Sequence, residues 1–295
     1  MTTDRLKGSF VALITLLRDG KVDEQGYQDF VNWQIDQGTH GLVPMGTTGE
    51  SPTMSHEEDM RVVRLCIEAA NGRVPVVAGT GSNSTEECIM LSKNARAAGA
   101  DVVLIVTGYY NKPTQEGLYQ HFKAVNDAID IPIIVYNIPG RTGVDISPET
   151  MARIAALENV VGCKESTAAA DRVSKQRYHC GPDFVQLSGE DAAVLGLLGM
   201  GGHGCISVTA NLAPALCSQM HVAWQNGDYK KARDIQNTLM PLHEAMFAET
   251  SPGPVKYGAS LMGWGDGAVR LPLVEPGQLT CEKVEQAMKS VGLLN

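Results

Sequence analysis

The hydrophobic positions of this 295-residue chain recur as short apolar runs separated by longer amphipathic stretches. The runs are continuously apolar instead of alternating, which is typical of parallel strands buried on both faces. Eight of them span residues 10–15, 41–45, 74–78, 102–106, 131–136, 160–164, 184–188 and 204–208. The pattern therefore predicts eight parallel strands.

The stretches between these runs have the periodicity of helices, as at 23–37, 56–70, 85–98 and 116–128. Ser55 precedes Glu58 and Ser84 precedes Glu87 at the spacing of a capping box, which marks helix starts. Eight strand–helix units in roughly 220 residues fit a closed (β/α)8 TIM barrel better than an open doubly wound sheet. We therefore predict an α/β protein with a catalytic barrel over residues 1–222.

The strand rhythm is lost from about Ala223. Three helical stretches follow, at 229–248, 255–262 and 281–291, joined by segments rich in proline and glycine. The pattern predicts a small C-terminal helical domain over residues 223–295.

Composition and charge narrow the possible partners. Apolar residues make up 43% and charged residues 19%, which is ordinary for a globular protein. The net charge of −9 argues against binding to nucleic acid or to an anionic membrane surface. No apolar stretch approaches the roughly 20 residues of a membrane span, and the first is too short for a signal peptide. The seven cysteines are scattered without CxxC pairs, which predicts a cytoplasmic location.

Lys164 is the strongest single candidate for catalysis. It is the charged end of the apolar run at 160–164. Keeping a buried lysine charged is costly, so burial favours the neutral, nucleophilic amine that Schiff-base enzymes use. The alternative is a strand that ends at the surface, with the lysine reaching into water.

Other polar groups follow neighbouring strands. In a barrel, functional groups lie at the carboxyl ends of the strands. The turn at 46–51 can present backbone N–H and hydroxyl donors to an anion, although an ordinary turn has the same composition. Tyr109 and Tyr110 follow the fourth strand, and Tyr136 and Arg141 follow the fifth. Together with Lys164, these groups predict one site.

The sequence predicts neither a metal nor another cofactor. The histidines lack the spacing of metal ligands. The glycine-rich segment at 199–204 precedes its strand instead of joining a strand to a helix, which disfavours a nucleotide loop.

Several motifs resemble those of the dihydrodipicolinate synthase family, within the class I aldolase superfamily that also contains N-acetylneuraminate lyase. The match runs in order over nearly the whole chain, and Thr15-Leu16 departs from the family's usual Thr-Pro. The motifs are GTTGES at 46–51, GTGSNST at 79–85, YYNKPTQEGLYQHF at 109–122, YNIPGRTG at 136–143, GCKEST at 162–167, LSGED at 187–191, GGHGCISVTAN at 201–211, PVK at 254–256 and RLPL at 270–273.

The resemblance implies a barrel with a C-terminal helical domain, assembled as a homotetramer. It implies a lyase that condenses pyruvate with L-aspartate 4-semialdehyde through a lysine Schiff base. The product is 4-hydroxy-tetrahydrodipicolinate, in lysine and diaminopimelate biosynthesis.

The resemblance also assigns site residues. Lys164 matches the Schiff-base lysine and Tyr136 the proton-shuttling tyrosine. Thr47 and Tyr110 match relay partners, the tyrosine being donated by a neighbouring subunit. The matching substrate-binding positions are Thr48 and Ile206 for pyruvate, Gly189, and Arg141 for the semialdehyde carboxylate.

Lysine-sensitive relatives carry an allosteric site at the tight-dimer interface. Pro52 and Asp59 depart from the enteric-bacterial pattern there. Each matching residue also has an ordinary structural explanation in a loop, a helix first turn or an interface. The matching positions are Ser51, His56, Asn83, Glu87 and Tyr109.

Two alternatives stay open. One is another pyruvate-dependent aldolase, of the N-acetylneuraminate lyase or 2-keto-acid aldolase type. Thr47-Thr48 and Arg141 argue against the neuraminate type, which normally reads Ser-Thr and lacks the arginine. The other is a catalytically silent barrel that senses a small molecule, which the intact Lys164 and Tyr136 disfavour.

Overall fold

The computed structural model describes residues 3–169 and 171–295. These residues form two compact units, each made of two chain segments. The middle unit contains the described residues up to Lys7 together with Val77–Ile206. The end unit contains Gly8–Val76 and Ser207–Asn295.

The first segment of the end unit begins with strand β1 (Gly8–Ala12) and continues to β2 (Gly41–Val43). The two strands are parallel, with Phe10 opposite Gly41. Helix α1 (Glu24–Asp36) separates them, and α2 (His56–Ala70) follows β2. All residues of both strands are buried, as the continuous apolar runs predict.

The middle unit contains a parallel sheet in which strands adjacent along the chain are also adjacent in space. Each strand is followed by at least one helix. The strands are β3 (Val77–Gly79), β4 (Val102–Val106), β5 (Ile133–Asn137), β6 (Val160–Glu165), β7 (Val185–Ser188) and β8 (Gly204–Ser207). The helices are α3 (Thr85–Ala98), α4 (Gln115–Ala128), α5 (Pro139–Thr142), α6 (Pro148–Ala155), α7 (Asp171–Cys180) and α8 (Val194–Gly199).

The second segment of the end unit is helical. It contains α9 (Pro214–Gln225), α10 (Tyr229–Ala245), α11 (Gly253–Leu261) and α12 (Gln278–Ser290). The last three confirm the predicted C-terminal helices, with bounds that differ by a few residues. The predicted domain boundary between residues 222 and 223 stays a prediction.

Eight parallel strands alternating with helices in the described residues are the (β/α)8 architecture, so the predicted fold class is confirmed. None of the helices in these residues combines the length and apolar character needed to cross a membrane. The Ser55–Glu58 capping box is complete, because each residue's side chain accepts from the other's backbone N–H. Ser84 likewise caps α3 through the Glu87 N–H.

Two predicted strands are shorter than their apolar runs, and prolines explain the difference. Proline has no N–H to donate to a sheet. Pro44 follows directly after β2, and Pro75 precedes β3 by two residues. A short hairpin that pairs Leu17–Arg18 with Lys21–Val22 was not predicted from the sequence. Its Asp19-Gly20 turn, with both residues at positive φ, is a hairpin signal that could have been recognised.

A buried ion pair anchors the end unit. Lys256 Nζ donates to Glu50 Oε1 at 2.5 Å, and both side chains are at most 2% exposed. The Arg270 N–H donates to Glu50 Oε2 at 2.9 Å. Burial lowers the pKa of Lys256, while the Glu50 carboxylate opposes that shift. Glu50 thus joins the turn after β2 to helix α11 and to the segment between α11 and α12 in the same unit.

We predict that Lys256→Met strongly destabilises the protein. The substitution leaves the Glu50 carboxylate buried without its cationic partner, which typically costs about 3–5 kcal/mol. Urea unfolding should show the midpoint moving to a clearly lower concentration. Lys230→Met, which removes an exposed lysine paired with Asp234, is the matched control and should unfold close to wild type. Equal midpoints for the two variants would contradict the anchoring role.

Candidate active site

Strands β4, β5 and β6 place three of the predicted site segments at one sheet edge. The strands are parallel neighbours, so their carboxyl ends lie side by side. Tyr136 of β5 is the direct register partner of Lys164 of β6. The register therefore sets the predicted tyrosine beside the predicted Schiff-base lysine.

The Lys164 side chain lies against the ring of Tyr136. Its Nζ is 4.2 Å from the ring centroid, and the residue is only 7% exposed. No ion pair of Lys164 is present among residues 3–169 and 171–295. The alternative of a lysine reaching into water from a surface strand is therefore wrong.

Because Gly189 has no side chain, there is space beside it for the side chain of Lys164. A Cβ at position 189 would lie 2.9 Å from Lys164 Cε and 1.8 Å from Ser166 Oγ. The Gly189 N–H donates to the Glu165 carbonyl at 2.8 Å, which holds the two strand ends together. The structure thus brings this predicted substrate-binding residue into direct proximity with the lysine.

Glu190 lies in the same region and was not given a role from the sequence. Burial raises the pKa of its carboxyl, and the charges of Lys164 and Arg141 oppose this shift. Arg141 lies in α5, directly after β5, and is exposed. An exposed guanidinium can bind an anionic substrate group. The presence of Glu190 in the motif at 187–191 was the available signal for this residue.

Tyr110 and Ile206 differ in their exposure to solvent. Tyr110 has φ of 70° and is 90% exposed, so its ring makes few contacts within its own chain. Its loop is fixed by Asn83, whose side chain donates to the Tyr109 carbonyl at 3.2 Å, and by Asn111, which donates to the Asn83 carbonyl at 2.9 Å. Ile206 of β8 is fully buried.

Thr47 and Thr48 lie in the end unit, in the 3-10 helix Thr47–Gly49 that follows β2. Thr48 is buried and Thr47 half-buried. The Thr15 hydroxyl donates to the Gly49 carbonyl at 2.7 Å, and the anchored Glu50 ends the turn in a left-handed conformation with φ of 61°. The turn that carries the two threonines is therefore fixed on both sides.

The residues predicted to bind lysine are divided between the units. In the middle unit, Asn83 contacts Tyr109, and Glu87 accepts a hydrogen bond from the Ser82 hydroxyl. In the end unit, Ser51 begins a short 3-10 helix and His56 begins α2. These positions stay a prediction.

Comparison with known proteins shows the family. The model of the dihydrodipicolinate synthetase family matches residues 5–291. A 4-hydroxy-tetrahydrodipicolinate synthase from Parvibaculum lavamentivorans is 61% identical over 289 residues, covering 98% of this chain and 99% of the relative.

Solved structures agree with the sequence comparison. The chloride-inhibited dihydrodipicolinate synthase from Acinetobacter baumannii, complexed with pyruvate, is 43% identical with a TM-score of 0.95, over 98% of this chain and 99% of that one. The enzyme from Cyanidioschyzon merolae with lysine bound is 35% identical with a TM-score of 0.95, over 98% and 99% of the two chains. Because the family model and these relatives extend over almost the whole sequence, the chain belongs to the dihydrodipicolinate synthetase family.

Proposed function

We propose that this chain binds pyruvate on Lys164 as a Schiff base and condenses it with L-aspartate 4-semialdehyde. The activity, formation of 4-hydroxy-tetrahydrodipicolinate, is that of its family, so the chain is a lyase of lysine and diaminopimelate biosynthesis. The observation that carries the residue assignment is the buried Lys164 amine, 4.2 Å from the centroid of the Tyr136 ring.

Lys164 acts as the nucleophile. Its neutral amine attacks the ketone carbon of pyruvate, and loss of water gives an iminium that acidifies the adjacent methyl group. Removal of a methyl proton gives an enamine, whose carbon attacks the aldehyde carbon of the second substrate. The aldehyde oxygen then takes up a proton. The amino group of the second substrate attacks the iminium carbon and displaces the Lys164 amine, which closes the ring and frees the enzyme.

Tyr136 moves protons for these steps. A hydrogen-bonded chain of hydroxyl groups can pass protons without leaving a free phenolate. The family resemblance assigns the other members of this chain to Thr47 and Tyr110. The exposure of Tyr110 supports its donation to a neighbouring subunit, as expected in a homotetramer.

Substrate carboxylates bind to separate groups. The family resemblance assigns pyruvate to backbone groups of Thr48 and Ile206, and it also assigns Gly189 to substrate binding. Arg141 is assigned to the carboxylate of the semialdehyde, because its planar fork can donate two parallel hydrogen bonds. Its exposed position, directly after the strand that carries Tyr136, supports a role in binding the second substrate.

Feedback inhibition by L-lysine is the regulatory part of the proposal. The relative from Cyanidioschyzon merolae has lysine bound. Here the Glu87 carboxylate suits the ammonium groups of lysine, and the adjoining Asn83 and Tyr109 suit its carboxylate. Tyr109 is adjacent to Tyr110, which gives a short physical connection to the proton relay. A cytoplasmic location completes the proposal and rests on the scattered cysteines.

Borohydride trapping tests the nucleophile. Reduction in the presence of pyruvate should add one reduced pyruvyl group to the peptide containing Lys164, as measured by mass spectrometry. Lys164→Ala should lose the adduct and nearly all turnover, because it removes the amine. Lys175→Ala, at an exposed lysine of α7, is the control and should keep both.

The same preparations should be assayed with aspartate semialdehyde and, separately, with sialic acid. Turnover of the semialdehyde alone is expected. An unmodified Lys164 peptide in a fully active protein would refute the mechanism, and preferential cleavage of sialic acid would favour the neuraminate lyase type.

Tyr136→Phe should separate pyruvate binding from turnover. The change removes only a hydroxyl group, so the binding of pyruvate should survive. Turnover should fall by about 10²–10⁴-fold, the usual contribution of a positioned acid–base group. Steady-state kinetics measure both effects, and Tyr178→Phe, at an exposed tyrosine, should match wild type. A Tyr136→Phe variant with wild-type turnover would remove this residue from the relay.

Glu87→Ala should weaken inhibition by lysine. Wild-type activity should fall at sub-millimolar to millimolar lysine, toward the weak end of the roughly −4 to −8 kcal/mol range of metabolite binding. Removing the carboxylate should move the inhibition curve to higher lysine concentrations. Glu86→Ala, at an exposed neighbour in the same helical turn, should leave the curve unchanged. Flat wild-type activity up to tens of millimolar lysine would show that these residues are structural.

A further inference from the structure

The residues directly after Tyr136 and Lys164 form a second register pair, Asn137 and Glu165. Successive side chains of a strand point to opposite faces. Tyr136 and Lys164 therefore share one face of the sheet, and Asn137 and Glu165 share the other. Both members of this second pair are buried, at 0% and 4% exposure.

The Glu165 carboxylate is the centre of a buried hydrogen-bond network. Gln176 Nε2 donates to its Oε2 at 2.8 Å, and Arg172 Nε donates to the same atom at 3.3 Å. Asn137 Nδ2 donates to its Oε1 at 3.0 Å. The network fixes the end of β6 to the end of β5 and to helix α7.

The same network holds the loop that carries Arg141. Asn137 Nδ2 also donates to Asp145 Oδ1 at 2.8 Å, and Asn137 Oδ1 accepts from the Ile146 N–H at 3.1 Å. Arg172 Nη2 donates to the Ile146 carbonyl at 2.5 Å and forms an ion pair with Asp145. Both ends of the segment from Asn137 to Ile146 are thereby fixed.

The buried charges of the network are paired with opposite charges. The Arg172 side chain is 12% exposed and lies between two carboxylates, those of Glu165 and Asp145. Burial works against its charge, but the two carboxylates outweigh that effect and raise the pKa of Arg172 above its ordinary value. A buried network of this kind is stable only when each member keeps its partners.

We propose that the Glu165–Asn137–Arg172–Asp145 network positions three groups of the middle unit, Lys164, Tyr136 and Arg141. Glu165 sets the Lys164 amine against Tyr136, and Asp145 sets the loop of Arg141. None of the four network residues needs to touch substrate. The inference rests on the proposed function for its kinetic readouts.

Glu165→Gln tests the part of the network that orients Lys164. The amide keeps the shape and one acceptor oxygen but loses the charge that Arg172 faces. The rate of pyruvate trapping and kcat should both fall by about 10- to 100-fold, because small displacements of reacting groups cost that much. The KM for the semialdehyde should change little. Glu165→Asp, which keeps the charge, is the second variant in case the amide does not fold.

Asp145→Asn tests the part that holds the Arg141 loop. Asparagine still accepts from Asn137 but no longer pairs with Arg172 as an anion. The KM for the semialdehyde should rise by about 10-fold, less than the roughly 100-fold cost of a full 1 Å misplacement, because Arg141 keeps its charge but loses its fixed position. The rate of pyruvate trapping should stay near wild type. Asp171→Asn, which breaks an exposed ion pair of α7, is the matched control for loss of one carboxylate and should change neither quantity.

A structural role alone would change both readouts in parallel with the melting temperature, and this parallel loss would overturn the inference. Wild-type trapping by Glu165→Gln would also overturn it. Failure of wild-type protein to trap pyruvate would instead refute the proposed function. A crystal structure of Glu165→Gln distinguishes a positioning role from a purely structural one. A positioning role requires that Lys164 Nζ leave its place 4.2 Å from the centroid of the Tyr136 ring.

Discussion

A lysine amine buried at the end of a parallel strand is the constraint on which this structure depends. In the proposed mechanism the Lys164 amine attacks a substrate carbonyl, so a substrate must be able to reach it at this buried position. Register places it against Tyr136, and the absence of a side chain at Gly189 gives it space. The Glu190 carboxyl lies in the same buried region, and burial raises its pKa.

The assigned groups are held by their neighbours in the sequence. Glu165 follows Lys164 and accepts three side-chain hydrogen-bond donors on the opposite face of the sheet. In the end unit, Glu50 follows the Thr47–Gly49 turn and is paired with Lys256 in a fully buried contact. A chemical group can keep free hydrogen-bonding capacity for a substrate when an adjacent residue supplies the rigidity. In both units, therefore, a buried and fully paired glutamate lies close in sequence to the assigned groups.

Local signals in the sequence predicted much of the fold. Helices α2 and α3 have the predicted bounds because their serine caps and apolar periodicity are local. The buried strand that carries Lys164 was also predictable, since its apolar run is visible in one segment. The role of Arg172 was not, because it depends on contacts with side chains 7 and 27 positions away. Such contacts follow from packing and have no periodic signature.

A crystal structure of the protein soaked with pyruvate tests the central claim most directly. Trapping identifies a modified peptide, whereas electron density shows which atom is bonded and what surrounds it. We expect continuous density from Lys164 Nζ to the ketone carbon of pyruvate, with the Tyr136 ring still in contact with the lysine side chain. Pyruvate bound without a covalent link, or linked to another lysine, would contradict the account.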